Sequence, residues 1–226
     1  MNNLMKEFAQ LIPKELHNLS GSVFYSGKKA FKGNKDLYII GLNPGGSEIL
    51  KKEDTILRHT QKTLNLEKDE WSEYKDEIWR GEAGKYGLQP RILHLLEKVN
   101  LSPYEVPASN VCFVRSTVEA KIADKVDYFN NICWNFHQNV IDKLGIKVIL
   151  CFGNTSGKFV CDKLNANKLV DEYIEDNNRR WKSKVFKSNK GLYVVIATHP
   201  SRADWTNPKS DPSNLVVKYL NKVRLE

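Results

Sequence analysis

A chain of 226 residues, 41% of them hydrophobic, carries enough apolar material for one sizeable α/β core, and no Pro/Ser/Gly-rich linker divides it. Lysine and arginine (35) outnumber aspartate and glutamate (27), giving a net charge of +8 that suits an acidic partner, nucleic acid above all, or solubility alone. There is no 18-residue apolar span, no apolar leader and no C-x-x-C pair among Cys112, Cys133, Cys151 and Cys161. A membrane span and a cysteine-held metal or iron–sulfur cluster are therefore not expected; a cytoplasmic protein with free thiols and no cofactor is.

Leu4, Phe8, Leu11, Ile12, Leu16 and Leu19 recur at helical spacing, and Pro13 predicts a split into two short helices. A polar, Gly-containing loop, 20–34, precedes the apolar run Leu37-Tyr-Ile-Ile-Gly41, which reads as a strand buried on both faces. That run breaks at once into Gly41-Leu-Asn-Pro-Gly-Gly46, the composition of a tight turn at a strand's C-terminal end. Residues 48–86 read as a charged helical insert, with Trp71, Tyr74, Ile78 and Trp79 as its buried stripe. Across 51–85, 8 basic residues meet 9 acidic ones, so the basic excess lies elsewhere.

Pro90 suits the first turn of a helix with Ile92, Leu95, Leu96 and Val99 on one face. Ser109 to Val114 reads as a second strand, with Asn110 near its start. A helix over Phe129 to Leu144 stops at Gly145, and Lys147 to Phe152 forms a third strand ending in Gly153-Asn-Thr-Ser-Gly157. A further helix follows. The run from Arg179 to Lys190 holds six basic residues and no acid, and Ser188-Asn-Lys-Gly191 looks like a hairpin turn. Leu192 to Ala197 is the fourth strand, closed by Thr198-His-Pro-Ser-Arg202. Ser213 is placed to cap a last helix.

Four strands alternating with helices predict one α/β domain over 1–226: three α/β/α layers around a central four-stranded, mostly parallel twisted sheet. Parallel strands bring Asn43, the Asn110–Arg115 segment, Gly153 with Asn154, and His199 with Ser201 to one edge, where open α/β sheets bind ligands. Nucleotide motifs fail here. Gly153-Asn-Thr-Ser-Gly-Lys158 is one residue short of a phosphate loop and puts Phe159 where a Mg²⁺-binding hydroxyl belongs; no G-x-G-x-x-G follows the first strand.

The pairing of Gly41-Leu-Asn-Pro-Gly45 after the first strand with His199-Pro-Ser201 after the last resembles the uracil-DNA glycosylase superfamily. Asn110 and Gly153-Asn-Thr-Ser156 match two further family positions in the family's order, over about residues 36–205. Asn43 resembles the branches with Asn in the first motif, the mismatch-specific and single-strand-selective glycosylases. The resemblance implies a metal-free, monofunctional hydrolase acting on a damaged base flipped out of DNA, as a monomer, with no membrane partner. Asn43 and His199 would be catalytic. Gly41, Leu42, Pro44, Gly45, Asn110 and Ser201 would line the substrate pocket, with Tyr86 as the stacking aromatic and Trp79 the second choice. Gly153, Asn154, Arg202 and Trp205 would contact DNA.

Each role suits its chemistry. A neutral imidazole stabilises a departing base anion by donating a hydrogen bond. An Asn amide offers uracil one donor and one acceptor. Asn43 can position a water but cannot take a proton near neutral pH, which predicts slow turnover. No lysine in either motif can form a Schiff base, so strand cleavage is not expected. Ala203, where the family often carries an apolar wedge, is too small to fill the gap left by a flipped base. A catalytically silent nucleic-acid or base-binding protein of the same fold, and an enzyme of free nucleosides, are the competing readings.

Overall fold

The computed structural model describes residues 4–46, 55–117 and 124–225. Six strands form one sheet: β1 (Leu37–Gly41), β2 (Ala108–Asn110), β3 (Val148–Phe152), β4 (Lys168–Ile174), β5 (Lys182–Lys187) and β6 (Tyr193–Ala197). Their order is β2-β1-β3-β6-β5-β4. The first four in that order are parallel, and β5 and β4 extend the sheet antiparallel. The α/β class and the four parallel strands match the sequence reading; the four-stranded sheet does not, because β4 and β5 were missed. Both are partly exposed and rich in charged residues, so neither shows the unbroken apolar run of a buried strand. Much of the Arg179–Lys190 run is β5, and Ser188–Gly191 makes the expected hairpin turn into β6, with Ser188 N–H donating to Leu192 O at 2.9 Å.

Alternation along the buried strands splits the core into two layers. Tyr38, Ile40, Ile149, Cys151, Val194 and Ile196 face the helices α1 (Leu4–Ala9), α4 (Val126–Leu144) and α5 (Asn154–Leu164). Leu37, Ile39, Val148, Leu150, Val195 and Ala197 face α3 (Gln89–Lys98) and α6 (Ser213–Leu225). Helices thus cover both faces of the parallel strands, and their C-terminal ends form one edge of the sheet.

Pro13 divides the N-terminal segment into α1 and a single 3₁₀ turn, Lys14–Leu16, as expected. Gly145 ends α4 in the left-handed conformation, φ 65°. Three other expectations are corrected. Of the charged insert, residues 47–54 lie outside the described residues, α2 (Ile56–Leu64) is helical, and 65–88 is a series of turns without a regular helix. Its aromatic stripe does not form: Tyr74 is buried, whereas Ile78 is 66% exposed. Ser213 begins α6 but does not cap it; Asp211 Oδ1 accepts the Ser213 N–H at 2.9 Å.

The third correction concerns β2. Its last residue is Asn110, not its first, because β1 ends at Gly41; beyond it Val111 and Cys112 bond to the turn after β1, and Val114 bridges Gly21 instead of extending the ladder. Those four residues are apolar because they pack inward, and Val111, Cys112 and Phe113 are fully buried. The correction moves Asn110 onto the C-terminal edge of the sheet.

Candidate active site

The turn after β1 is held from below by the chain leaving β2. Val111 N–H donates to Gly41 O (2.9 Å), Cys112 N–H to Leu42 O (2.8 Å) and Ser116 N–H to Pro44 O (3.0 Å). The Arg115 guanidinium donates to Gly45 O at 2.6 Å. Asn43 is half-buried, and its Nδ2 donates to Pro44 O (3.0 Å) and Ser116 O (3.5 Å). Because Nδ2 is committed to backbone carbonyls, Oδ1 is the atom that Asn43 offers to a water, as an acceptor. Leu42 and Pro44 are buried, Gly45 is exposed.

Gly41 is paired in register with Asn110, and a Cβ there would stand 2.2 Å from Asn110 Oδ1. Glycine is thus what lets the Asn110 amide fold over the end of β1. Behind Asn110, His137 on α4 bridges β1 and the chain leaving β2. Its Nδ1 pairs with the Tyr38 hydroxyl at 2.9 Å and its Nε2 with Val111 O at 3.2 Å. The carbonyl accepts from Nε2–H, so Nδ1 accepts from the phenol and the ring is neutral. Burial holds the His137 pKa down at about 4 and pushes the Tyr38 phenol well up.

On the other side of β1, Gly153 closes β3 by donating its N–H to Ala197 O at 2.8 Å. Its backbone, φ 85° and ψ 172°, belongs to a region essentially restricted to glycine. A Cβ there would lie 3.7 Å from His199, so this turn and the His199 loop are in direct contact. The His199 ring meets Phe152 edge-on, centroids 6.1 Å apart. His199 Nδ1 accepts the Ser201 N–H at 3.1 Å and lies 2.8 Å from Ser201 Oγ. A nitrogen that accepts from a backbone N–H carries no proton, so the neutral ring's proton sits on Nε2, making that nitrogen a donor. The loop is braced from α3 by Arg91, which donates to Pro200 O and pairs with Asp204 at 3.3 Å.

Asn43, Asn110, Gly153 and His199 thus lie at the C-terminal ends of β1, β2, β3 and β6. The ends of β1 and β6 are two strand spacings apart, about 10 Å, with Gly153 between them. Asn154 is exposed at the first position of α5, and Arg202 is exposed three residues beyond His199. Tyr86 is 44% exposed on the segment entering α3, where its ring lies under Arg80 at 5.7 Å. Trp79 is tied instead to Glu73 by its indole N–H, at 2.8 Å. Trp205 is a correction. It is fully buried, packs on Phe152 (5.6 Å between centroids) and donates its indole N–H to Thr198 O at 3.0 Å. It supports the His199 loop from within the core and presents no surface to DNA.

Three residues that position the site without motif status were missed from sequence: Arg91, His137 and Phe152. Arg115 lies in the Asn110–Arg115 segment that the strand order already brings to this edge. A cavity of about 120 Å³ lies beside this edge, lined by Tyr25, His59, Trp71, Glu73 and Arg115 among others. Burial pushes Glu73 up to about 7 and holds His59 down at about 4. Among the described residues no His/Cys/Asp/Glu group could hold a metal ion, and no helix is long and apolar enough to cross a membrane. The four cysteines are buried and unpaired. No protein-family model matches the chain, and no curated protein is similar to it in sequence.

Proposed function

We propose that the chain is a DNA base-excision glycosylase, hydrolysing the N-glycosidic bond of uracil or a related deaminated base extruded from DNA and leaving an abasic site. One observation carries the reading furthest. Ser201 fixes His199 as a neutral Nε2–H donor beside Gly153, on the edge that also carries Asn43 and Asn110.

As the glycosidic bond breaks, its electron pair passes to the base. His199 Nε2–H stabilises the developing negative charge on a base carbonyl oxygen. Asn110 is the candidate for reading the base edge through its amide. A water held by Asn43 Oδ1 adds through its oxygen to the sugar carbon, and its proton is lost to solvent. Asn43 orients the water but accepts no proton, so the sugar must develop positive character before attack and turnover is slow. The basic balance of the chain favours DNA over a free nucleoside.

The second reading, a nucleic-acid-binding protein without turnover, is favoured by one feature: Ala203 and Trp205, after His199, are both buried and supply no wedge for the gap in the stack. Base release from an oligonucleotide carrying one uracil, single-stranded and in a mismatched duplex, with heat and alkali revealing abasic sites, separates the two. Release supports the glycosylase. DNA binding with no release from uracil, hypoxanthine or xanthine substrates moves the assignment to the binding protein.

A further inference from the structure

The edge strands missing from the sequence reading carry a surface of their own. β4 is antiparallel to β5 and β5 to β6, so β4 runs in the direction of β6. Its C-terminal end, and the 175–181 turn that follows, therefore project from the same edge as His199. That turn faces the chain leaving the His199 loop: Asp176 N–H donates to Lys209 O at 2.8 Å and Arg179 donates to Arg202 O at 2.7 Å. Between the two segments lies an open groove of about 870 Å³, whose lining includes Arg91, Arg179, Arg180, Arg202 and Lys209 against Asp176 and Asp204.

The charge is not cancelled internally. Asp204 is engaged by Arg91 at 3.3 Å. Arg179 is a fixed wall: its guanidinium reaches the fully buried Glu175 at 2.9 Å and stacks over Trp181 at 4.3 Å. Arg180 holds a left-handed backbone, φ 52°, which arginine seldom adopts and which the surrounding turn must enforce. Arg180, Arg202 and Lys209 are all exposed at the groove. Guanidinium forks on a rigid support match phosphate oxygens well.

We propose that this groove seats the phosphodiester backbone of the nucleic-acid strand on one side of the extruded nucleotide, making the β4–β5 turn a second anchoring surface beyond the motif loops. The proposal rests on the nucleic-acid reading of the neighbouring site.

The test is equilibrium binding of a fluorescent, uracil-free 20-mer across a salt series. It compares wild type, Arg180→Ala, Lys209→Ala and the double variant, each checked for an unchanged thermal melt. Lys32→Ala is the charge-matched control; its neighbour Asn34 packs near Gly145, before β3, at the opposite edge of the sheet. The expected result is a salt slope lowered by about 1 for each groove residue removed, whatever the base sequence, with Lys32→Ala unchanged. Groove variants that match Lys32→Ala while wild type binds would overturn this inference and leave the glycosylase reading standing. A wild-type protein that binds no oligonucleotide and releases no base would end both.

Discussion

Gly41→Ala probes how the Asn110 amide is held. The new Cβ would stand 2.2 Å from Asn110 Oδ1 and 3.3 Å from its Cγ, with Phe152 at an ordinary 3.7 Å. Gly41 is not among the residues with positive φ, so alanine fits the backbone, and the conflict falls on the tip of one side chain. To regain ordinary contact Oδ1 must retreat by roughly 1 Å, a misplacement that can cost about 100-fold at a reacting centre, or ~2.7 kcal/mol of barrier. The expected outcome is a fall of about that size in single-turnover base release, with urea unfolding shifted by no more than an overpacked site costs, about 1–3 kcal/mol. Asn110→Ala should lower release comparably. The double variant should be no worse than Asn110→Ala alone, because both act on the same amide. Full activity in Gly41→Ala, or additive losses in the pair, would refute the link between this glycine and Asn110.

Gly153→Ala forces alanine into a region essentially reserved for glycine and should cost about 1–3 kcal/mol in urea unfolding while lowering base release through the adjoining His199 loop; wild-type stability would contradict the strain. For pH, His137 and His59 titrate near 4 when folded against about 6.5 unfolded, so their contribution is complete above 6.5 and is lost as pH falls toward 4. Glu73, raised to about 7, has the opposite sign: its contribution is complete below about 4.5 and lost as pH rises through 7. Two histidines outweigh one glutamate, so these groups together lower stability on acidification between 6.5 and 4.5, and His137→Gln should flatten that fall. Denaturant unfolding at half-unit pH steps measures it; an unchanged slope in His137→Gln would contradict the neutral, buried ring.

The sequence was most legible where one signal dominates. Leu37–Gly41, Val148–Phe152 and Tyr193–Ala197 are apolar on both faces and were read almost to the residue. β4 and β5 were not, since Lys168–Ile174 and Lys182–Lys187 mix charges with apolar residues as edge strands do. Ser109–Val114 shows the limit of an apolar run: Ser109 to Phe113 are buried, but the ladder that would make them a strand ends with β1. At the site, the glycines and His199-Pro-Ser201 were visible because turns need particular residues. Trp205 was misjudged because an exposed wedge and a buried prop look alike in sequence, and only the indole bond to Thr198 separates them. His137 and Arg91 act across long sequence separations, His137 on Val111 and Arg91 on Pro200, so no local pattern announces them.

The most direct measurement is single-turnover release of uracil from a single-stranded oligonucleotide by wild type, Asn43→Ala and His199→Ala, with DNA affinity recorded for each. Wild type should release uracil slowly but measurably, and both variants should lose about 100-fold or more with affinity retained. Release that survives His199→Ala undiminished would contradict the assignment of Nε2–H to the leaving base, and with it the central claim.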